Sequence, residues 1–340
     1  MSFCQYPIYP WRKLIGDEMR RWPTMRIMAL PTMSFRTAST LTFFYALAYP
    51  CGALAVSVMS PMAVLVFRFG LAGMILGGWA VAARVTWPTG RLLAHVLFSG
   101  LLAQGLMYST FYVALMHGAP AVLGAVIVSM NPVVTAVLAT VFLGEPLTRA
   151  RVGALALGIL AVLAACAGRL MTVGGVDTAI LLMLVSLFSV AAGGVYQQKF
   201  CRDVDFRVTS ALQNAVCVVP VALLAALMPL IVTNPWKAAG AVAAVVLLNA
   251  TVAMTLYVRA INNYGAAAVA MLFTVIPAVA GVLSWLMLGQ RPDIGVAIGL
   301  VLGAAACWLN ARGSRQTQEQ ASPTAAIIRE SSPATSGPAG

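Results

Sequence analysis

The sequence predicts an all-α integral membrane protein, with ten transmembrane helices arranged as two inverted five-helix repeats. Three observations predict it: composition, the length and spacing of apolar runs, and an internal duplication. Of the 340 residues 61% are hydrophobic and only 9% are charged, against roughly 25% charged in a soluble domain. A spanning helix needs about 20 mainly apolar residues to cross a hydrocarbon core roughly 30 Å thick. Runs of that kind recur along the middle of the chain.

The runs place spans at 38–58, 61–83, 92–114, 119–142, 149–167, 177–198, 208–232, 238–259, 265–288 and 293–311, joined by short links rich in Gly, Pro and polar residues. Residues 37–167 then form a first repeat and 168–311 a second. Residues 1–36 mix Pro, Trp and Arg and read as a cytoplasmic N-terminal segment. Its IMAL run is broken by Pro31 and is too short for a signal peptide, and Met25 and Met33 stand as alternative starts. Residues 312–340, rich in Ser, Thr, Pro, Ala and Gln, have the composition of a disordered cytoplasmic tail.

The net charge of +12 reads as membrane topology and not as nucleic-acid binding, because of where the charges fall. With a cytoplasmic N-terminus, seventeen of the 21 Lys and Arg lie on the inner side, among them Arg12, Lys13, Arg84, Arg149, Lys199, Arg259 and Arg312. The outer loops hold three, Arg169, Lys237 and Arg291, and Arg68 is left inside a span. Basic residues concentrate on cytoplasmic loops, so both termini are expected inside, in a multi-pass protein of the inner or plasma membrane. The six cysteines show no C-x-x-C spacing and His95 and His117 are isolated, so no disulfide framework, metal site or cofactor is expected.

Shifting the chain by 145 positions lays STFYVALMHGAPA, from Ser109, over MTLYVRAINNYGA, from Met254, so that Thr110 meets Thr255 and Tyr112 meets Tyr257. Without a gap, the same shift pairs Pro132 with Pro277, Leu143 with Leu288, Gly144 with Gly289 and Gly158 with Gly303. Apolar helices match by chance in Ala and Leu far more readily than in Tyr, Pro and Gly in one register, so the chain reads as a duplication. Five spans per half is an odd number, which turns the second copy upside down, an architecture common among secondary transporters. Pro132 and Pro277 fall near the middle of the fourth and ninth spans, where each removes an N–H and loosens the carbonyl four residues earlier, at Val128 and Phe273. These hinges mark either a central binding site, whose wet lining tolerates freed carbonyls, or ordinary packing kinks.

On these residues the chain resembles the EamA-like transporters of the drug/metabolite transporter (DMT) superfamily, over roughly residues 38–311. The likeness rests on NPVVTAVLATVFLGEPLT from Asn131, its partner IPAVAGVLSWLMLGQ from Ile276, and SPMAVLVFRFGLAG from Ser60, which carries Arg68. It implies a basket in which the first four helices of each half surround a substrate cavity and move small organic solutes by alternating access. Members are associated with amino acids, drugs, nucleosides and other metabolites. Two departures stand out: AYPCGAL occupies the place of a Trp-Gly pair in the first span, and Gln290 replaces the usual glutamate of the second copy.

Polar side chains inside spans face the bundle interior or water, which makes them the substrate-cavity candidates. Thr42, Tyr45 and Tyr49 share a face of the first span, and Gln104, Tyr108 and Tyr112 share one of the third. Ser129 and Asn131 flank Pro132, Thr274 and Trp285 flank Pro277, and Tyr196, Asn214, Asn249 and Tyr257 extend the set. Each of these alone reads as a helix-packing hydrogen bond before a ligand contact, and only as a group do they suggest an aromatic and amide-lined cavity. Arg68 is the cation well inside a span, roughly 10 Å from its outer end at 1.5 Å per residue. It pairs with helix-end carbonyls or receives a substrate carboxylate or phosphate.

No deep carboxylate offers a proton relay, and His95 reads as a solvated, loop-side histidine. Glu145 falls between Gly144 and Pro146, near Arg149 and Arg151, and reads as a structural cap on the fifth span. Gly295, Gly299 and Gly303 form a small-residue face that serves close packing in a monomer or the seam of a homodimer. The expected function is secondary transport, the export of a small organic metabolite, amino acid or drug. The alternatives are a channel, or a membrane-embedded enzyme for which no nucleophile–base pair, paired carboxylates or metal set is present. Its partners are then a small-molecule substrate and the lipid bilayer, with no nucleic acid.

Overall fold

A helix start leaves N–H groups without partners, and this chain supplies them with short polar side chains or avoids them with proline. In the computed structural model, which describes residues 33–143, 149–173, 177–289 and 294–320, the chain forms α1 (Phe35–Val58), α2 (Pro61–Ala82), α3 (Gly90–Met116), α4a (Ala121–Val128), α4b (Asn131–Leu143) and α5 (Arg149–Val173). The second half follows with α6 (Thr178–Phe200), α7 (Phe206–Ala226), α8 (Pro235–Tyr264), α9a (Ala266–Ala270), α9b (Ile276–Leu288) and α10 (Ile294–Gln320). Ser34 caps α1 by accepting from the Thr37 amide, Asp177 caps α6 through Ala179, Asp205 caps α7 through Arg207, and Asn234 caps α8 through Lys237. Pro61 opens α2 and Pro235 opens α8.

Among the described residues, seven helices are long and apolar enough to cross a membrane, and a bent pair, Ala268–Thr274 with Ile276–Leu288, makes an eighth. The apolar parts of α5 and α10, Val152–Ala167 and Ile294–Leu309, are shorter. The helix α10 continues to Gln320, beyond the end at 311 expected from hydropathy. Residues 1–32 and 321–340, Glu145 and Gln290 lie outside the described residues.

The 145-residue shift is written into the backbone. The starts of α2, α3, α4a, α4b and α5, at 61, 90, 121, 131 and 149, fall on those of α7, α8, α9a, α9b and α10, at 206, 235, 266, 276 and 294. A π-helical segment interrupts α3 at Leu101–Leu106 and α8 at Val245–Ala253, and the two overlap under the same shift. Such wide turns are rare and concentrate at functional sites.

Neither mid-span proline kinks a continuous helix, as hydropathy alone had implied. After α4a, Ser129 and Met130 form a turn and α4b restarts at Asn131, so Pro132 occupies the first turn of a new helix. In the second copy a 3₁₀ segment, Met271–Thr274, and Val275 precede α9b, again with Pro277 in the first turn, and the span bends by 44°. A first-turn proline lacks only an N–H that has no intrahelical partner there, which is why the break settles at this place.

Repeat mates pack side by side: α2 against α7, and α5 against α10. Gly73 in α2 meets Ala215 in α7, while Trp79, further along α2, meets Phe206 and Arg207 at the start of α7. Gly153 of α5 meets Leu309 of α10, while Gly299 of α10 meets Ala161 and Ala165 of α5. In both pairs the contacts advance along one helix and retreat along the other, so the mates run antiparallel. The approach at Gly299 leaves room for hydrogen alone, since a Cβ there would lie 2.7 Å from that of Ala165. Gly303 is filled by Met130. Two positions of the expected homodimer seam are therefore used inside the chain.

Candidate functional site

A guanidinium at hydrocarbon depth must replace its hydration with protein groups. Arg68 on α2 is fully buried. Its Nε and Nη2 both donate to Oδ1 of Asn249, at 3.3 and 3.1 Å. Its carbon lies 3.5 Å from the centre of the Tyr108 ring and 4.7 Å from that of Phe69, cation–π distances that supply part of the lost solvation. The helix-end carbonyls expected as its partners are not involved; a side-chain amide from the π segment of α8 takes that place. Nη1 of Arg68 has no hydrogen-bond partner, nor has Nδ2 of Asn249, and Arg68 makes no ion pair among the described residues.

The repeat supplies a second copy of this contact. Under the 145-residue shift Arg68 falls on Gln213 of α7, and Gln104 of α3 falls on Asn249. Gln104 Nε2 donates to Gln213 Oε1 at 3.2 Å, and Gln213 Nε2 donates to Ser99 Oγ at 2.9 Å and Gln197 Oε1 at 3.0 Å. From there Gln197 Nε2 donates to Asn262 Oδ1, and Asn262 Nδ2 to the carbonyl of Val204 in the α6–α7 link. The neutral mate of Arg68 is thus the node of a chain of amides, in which Gln104 Oε1 lacks a partner.

Five of the expected tyrosines form a buried cluster that meets the arginine through Tyr108. Tyr45 and Tyr49 from α1, Tyr108 and Tyr112 from α3 and Tyr257 from α8 are all buried. Ring centres lie 5.8 Å apart for Tyr45 and Tyr257, 6.1 Å for Tyr108 and Tyr112, and 4.9 Å for Tyr45 and Phe273. The hydroxyls of Tyr45 and Tyr49 have no hydrogen-bond partner, whereas that of Tyr108 donates to Met254 Sδ at 3.4 Å. Phe69, Met254 and Phe273 complete this cage and were missed, because apolar side chains in an apolar span give no sign of which face they occupy.

The other expected residues lie elsewhere. Asn214 is buried on α7, its Nδ2 donating to the Ser210 carbonyl and its Oδ1 without a partner. Asn131 accepts from Thr135 Oγ1 within α4b. Tyr196 forms a separate cluster in which its hydroxyl meets His95 Nδ1 at 2.7 Å and His95 stacks on Phe200. His95 is therefore packed and hydrogen-bonded, and not the solvated histidine expected. Trp285 is 52% exposed on the outside of the bundle, because α9b buries the face of Ile276, Pro277, Ala280 and Ser284 instead. A flank groove of about 540 Å³, lined by Met59, Phe67, Leu71 and Ala238 among others, has an entirely apolar lining. It offers no group to orient a polar solute.

Comparison with known proteins agrees with this architecture. No curated protein matches the chain. One solved structure, described as a crystal structure of a protein, superposes with a TM-score of 0.61 at 17% identity, over 83% of this chain and 99% of its own. That likeness carries the fold. A model of the EamA-like transporter family matches twice, over residues 37–166 and 177–312, once for each copy. This chain, with its two copies and its apolar helices, belongs to the EamA-like transporter family of multi-pass membrane transporters.

Proposed function

We propose that the protein is a secondary transporter that exports a small organic solute, a metabolite, amino acid or drug, by alternating access. On this reading α5 and α10 also span the bilayer, giving ten spans in two inverted five-helix repeats, with both termini cytoplasmic in the inner or plasma membrane. The observation that carries the proposal is the polar contact made twice across the copies, Arg68 to Asn249 and Gln213 to Gln104. Equivalent contacts on antiparallel mates give a carrier two related arrangements, one opening to each side. The broken helices α4a–α4b and α9a–α9b add a hinge to each copy.

Counterflow tests the reading. Proteoliposomes preloaded with unlabelled amino acids, nucleosides, organic acids or cationic drugs should take up the matching labelled solute faster than empty ones, for at least one solute. A carrier shows this acceleration and a channel does not. The double variant Pro132→Ala/Pro277→Ala should keep its fold and lose most of the acceleration. Flux without acceleration for every solute overturns alternating access.

A further inference from the structure

The charge balance around Arg68 narrows the solute, if the proposed transport through this site holds. We propose that the site takes an organic monocarboxylate with an uncharged, apolar body, whose carboxylate accepts from Nη1 of Arg68. The groups left without partners at this end of the cage carry hydrogens to donate. They are the guanidinium Nη1, the amide nitrogen of Asn249 and the hydroxyls of Tyr45 and Tyr49. Nε and Nη2 of Arg68 are both held by the oxygen of Asn249, so Nη1, on the far side of the guanidinium, is the nitrogen left for an anion. A charged N–H donor binds a carboxylate oxygen more strongly than any neutral acceptor.

Charge selects within that class. The buried site carries one positive charge and no ion pair among the described residues. A monocarboxylate brings the pair to neutrality. A zwitterionic amino acid leaves the pocket positive, an amine doubles the charge, and a phosphate monoester overshoots with about −1.5 to −2. The rings of Tyr108, Phe69, Tyr45 and Phe273 line the rest of the cage with apolar surface. Among the described residues its mate around Gln213 holds amides and no charge, so only the Arg68 copy is suited to an anion.

The test uses full-length protein in proteoliposomes and in detergent. The probes are butyrate and 3-phenylpropionate, each beside its amide, with phenylalanine, 2-phenylethylamine and phenyl phosphate. The acids should raise the melting temperature and exchange in counterflow, and the other probes should act at least about thirtyfold more weakly, the ratio that about 2 kcal/mol for a buried charge pair implies. Arg68→Gln should abolish the response to the acids. Should that variant misfold, Asn249→Asp serves in its place: it sets an internal carboxylate beside Arg68 and should also remove acid binding. Acids that do no better than their amides, or a response that survives Arg68→Gln or Asn249→Asp, overturn the inference. Transport of phenylalanine or the amine in preference to the acids overturns it as well and leaves the transporter reading standing. Absence of exchange for every solute, together with no melting shift, overturns both.

Discussion

Arg68 with Asn249 and Gln213 with Gln104 are the same contact drawn twice, and the two have different fates. The neutral pair is absorbed into the protein, its amides passing hydrogen bonds from Ser99 through Gln197 to Asn262. The charged pair spends two donors on one carbonyl oxygen and leaves two nitrogens without partners. Duplication supplied one backbone frame for both, down to overlapping π segments. What the difference teaches is that an amide finds partners in further amides, whereas a buried cation needs an anion that none of the described residues provides.

The largest expected effect comes from making the neutral side match the charged one. Gln213→Arg would bury a second cation with no acid at hand, at a place where the backbone of Gly100 already presses on Gln213. It should cost about 3–5 kcal/mol, read as loss of folded protein from membranes. The reverse change has the opposite sign. Arg68→Gln removes an unneutralised buried charge, so the unliganded protein should gain about 1 kcal/mol in thermal melts. A destabilised, unliganded Arg68→Gln would mean that the charge is compensated within the chain.

A smaller test concerns packing. A Cβ on Gly193 of α6 would lie 2.6 Å from that of Ala103, at the π segment of α3, whereas its mate in the first copy, Ala48, already carries one. Gly193→Ala should cost about 1–3 kcal/mol by overpacking, and Ala48→Gly no more than about 1 kcal/mol. Equal effects would mean that the two copies pack alike. The smallest effect is chemical. Burial pushes the Cys201 thiol, packed with Val96 and Val204 near Ser99, up to about 11. Alkylation needs the thiolate, so maleimide should label Cys201 slowly at pH 8. Gln213→Ala, which loosens the amide chain at Ser99, should speed that labelling several-fold, and Arg68→Gln should not.

Much of the frame was legible in the residues. The register that aligns Tyr112 with Tyr257 and Pro132 with Pro277 is the one that aligns the helix starts, because Pro and Gly constrain the backbone directly. The tyrosine faces of α1 and α3 also followed from helical spacing. Contacts between distant spans did not: Asn249 lies 181 residues from Arg68, and no local pattern pairs them. Facing was illegible too. Lipid is as apolar as the core, so hydropathy cannot tell the buried face of α9b from the outer face that carries Trp285. The wide turns of α3 and α8 left no signal in residue type, and they lie beneath both polar contacts.

On the proposed reading the buried guanidinium of Arg68 would also couple the carrier to voltage. If the cargo arrives as an anion, the loaded site is neutral and crosses the field unaffected, while the empty site moves one positive charge. A full crossing is worth on the order of 2 kcal/mol per 100 mV. An inside-negative potential then draws the empty carrier back toward the cytoplasm, where an exporter must reload, so the membrane potential would drive the return stroke and leave the outward step to the solute gradient.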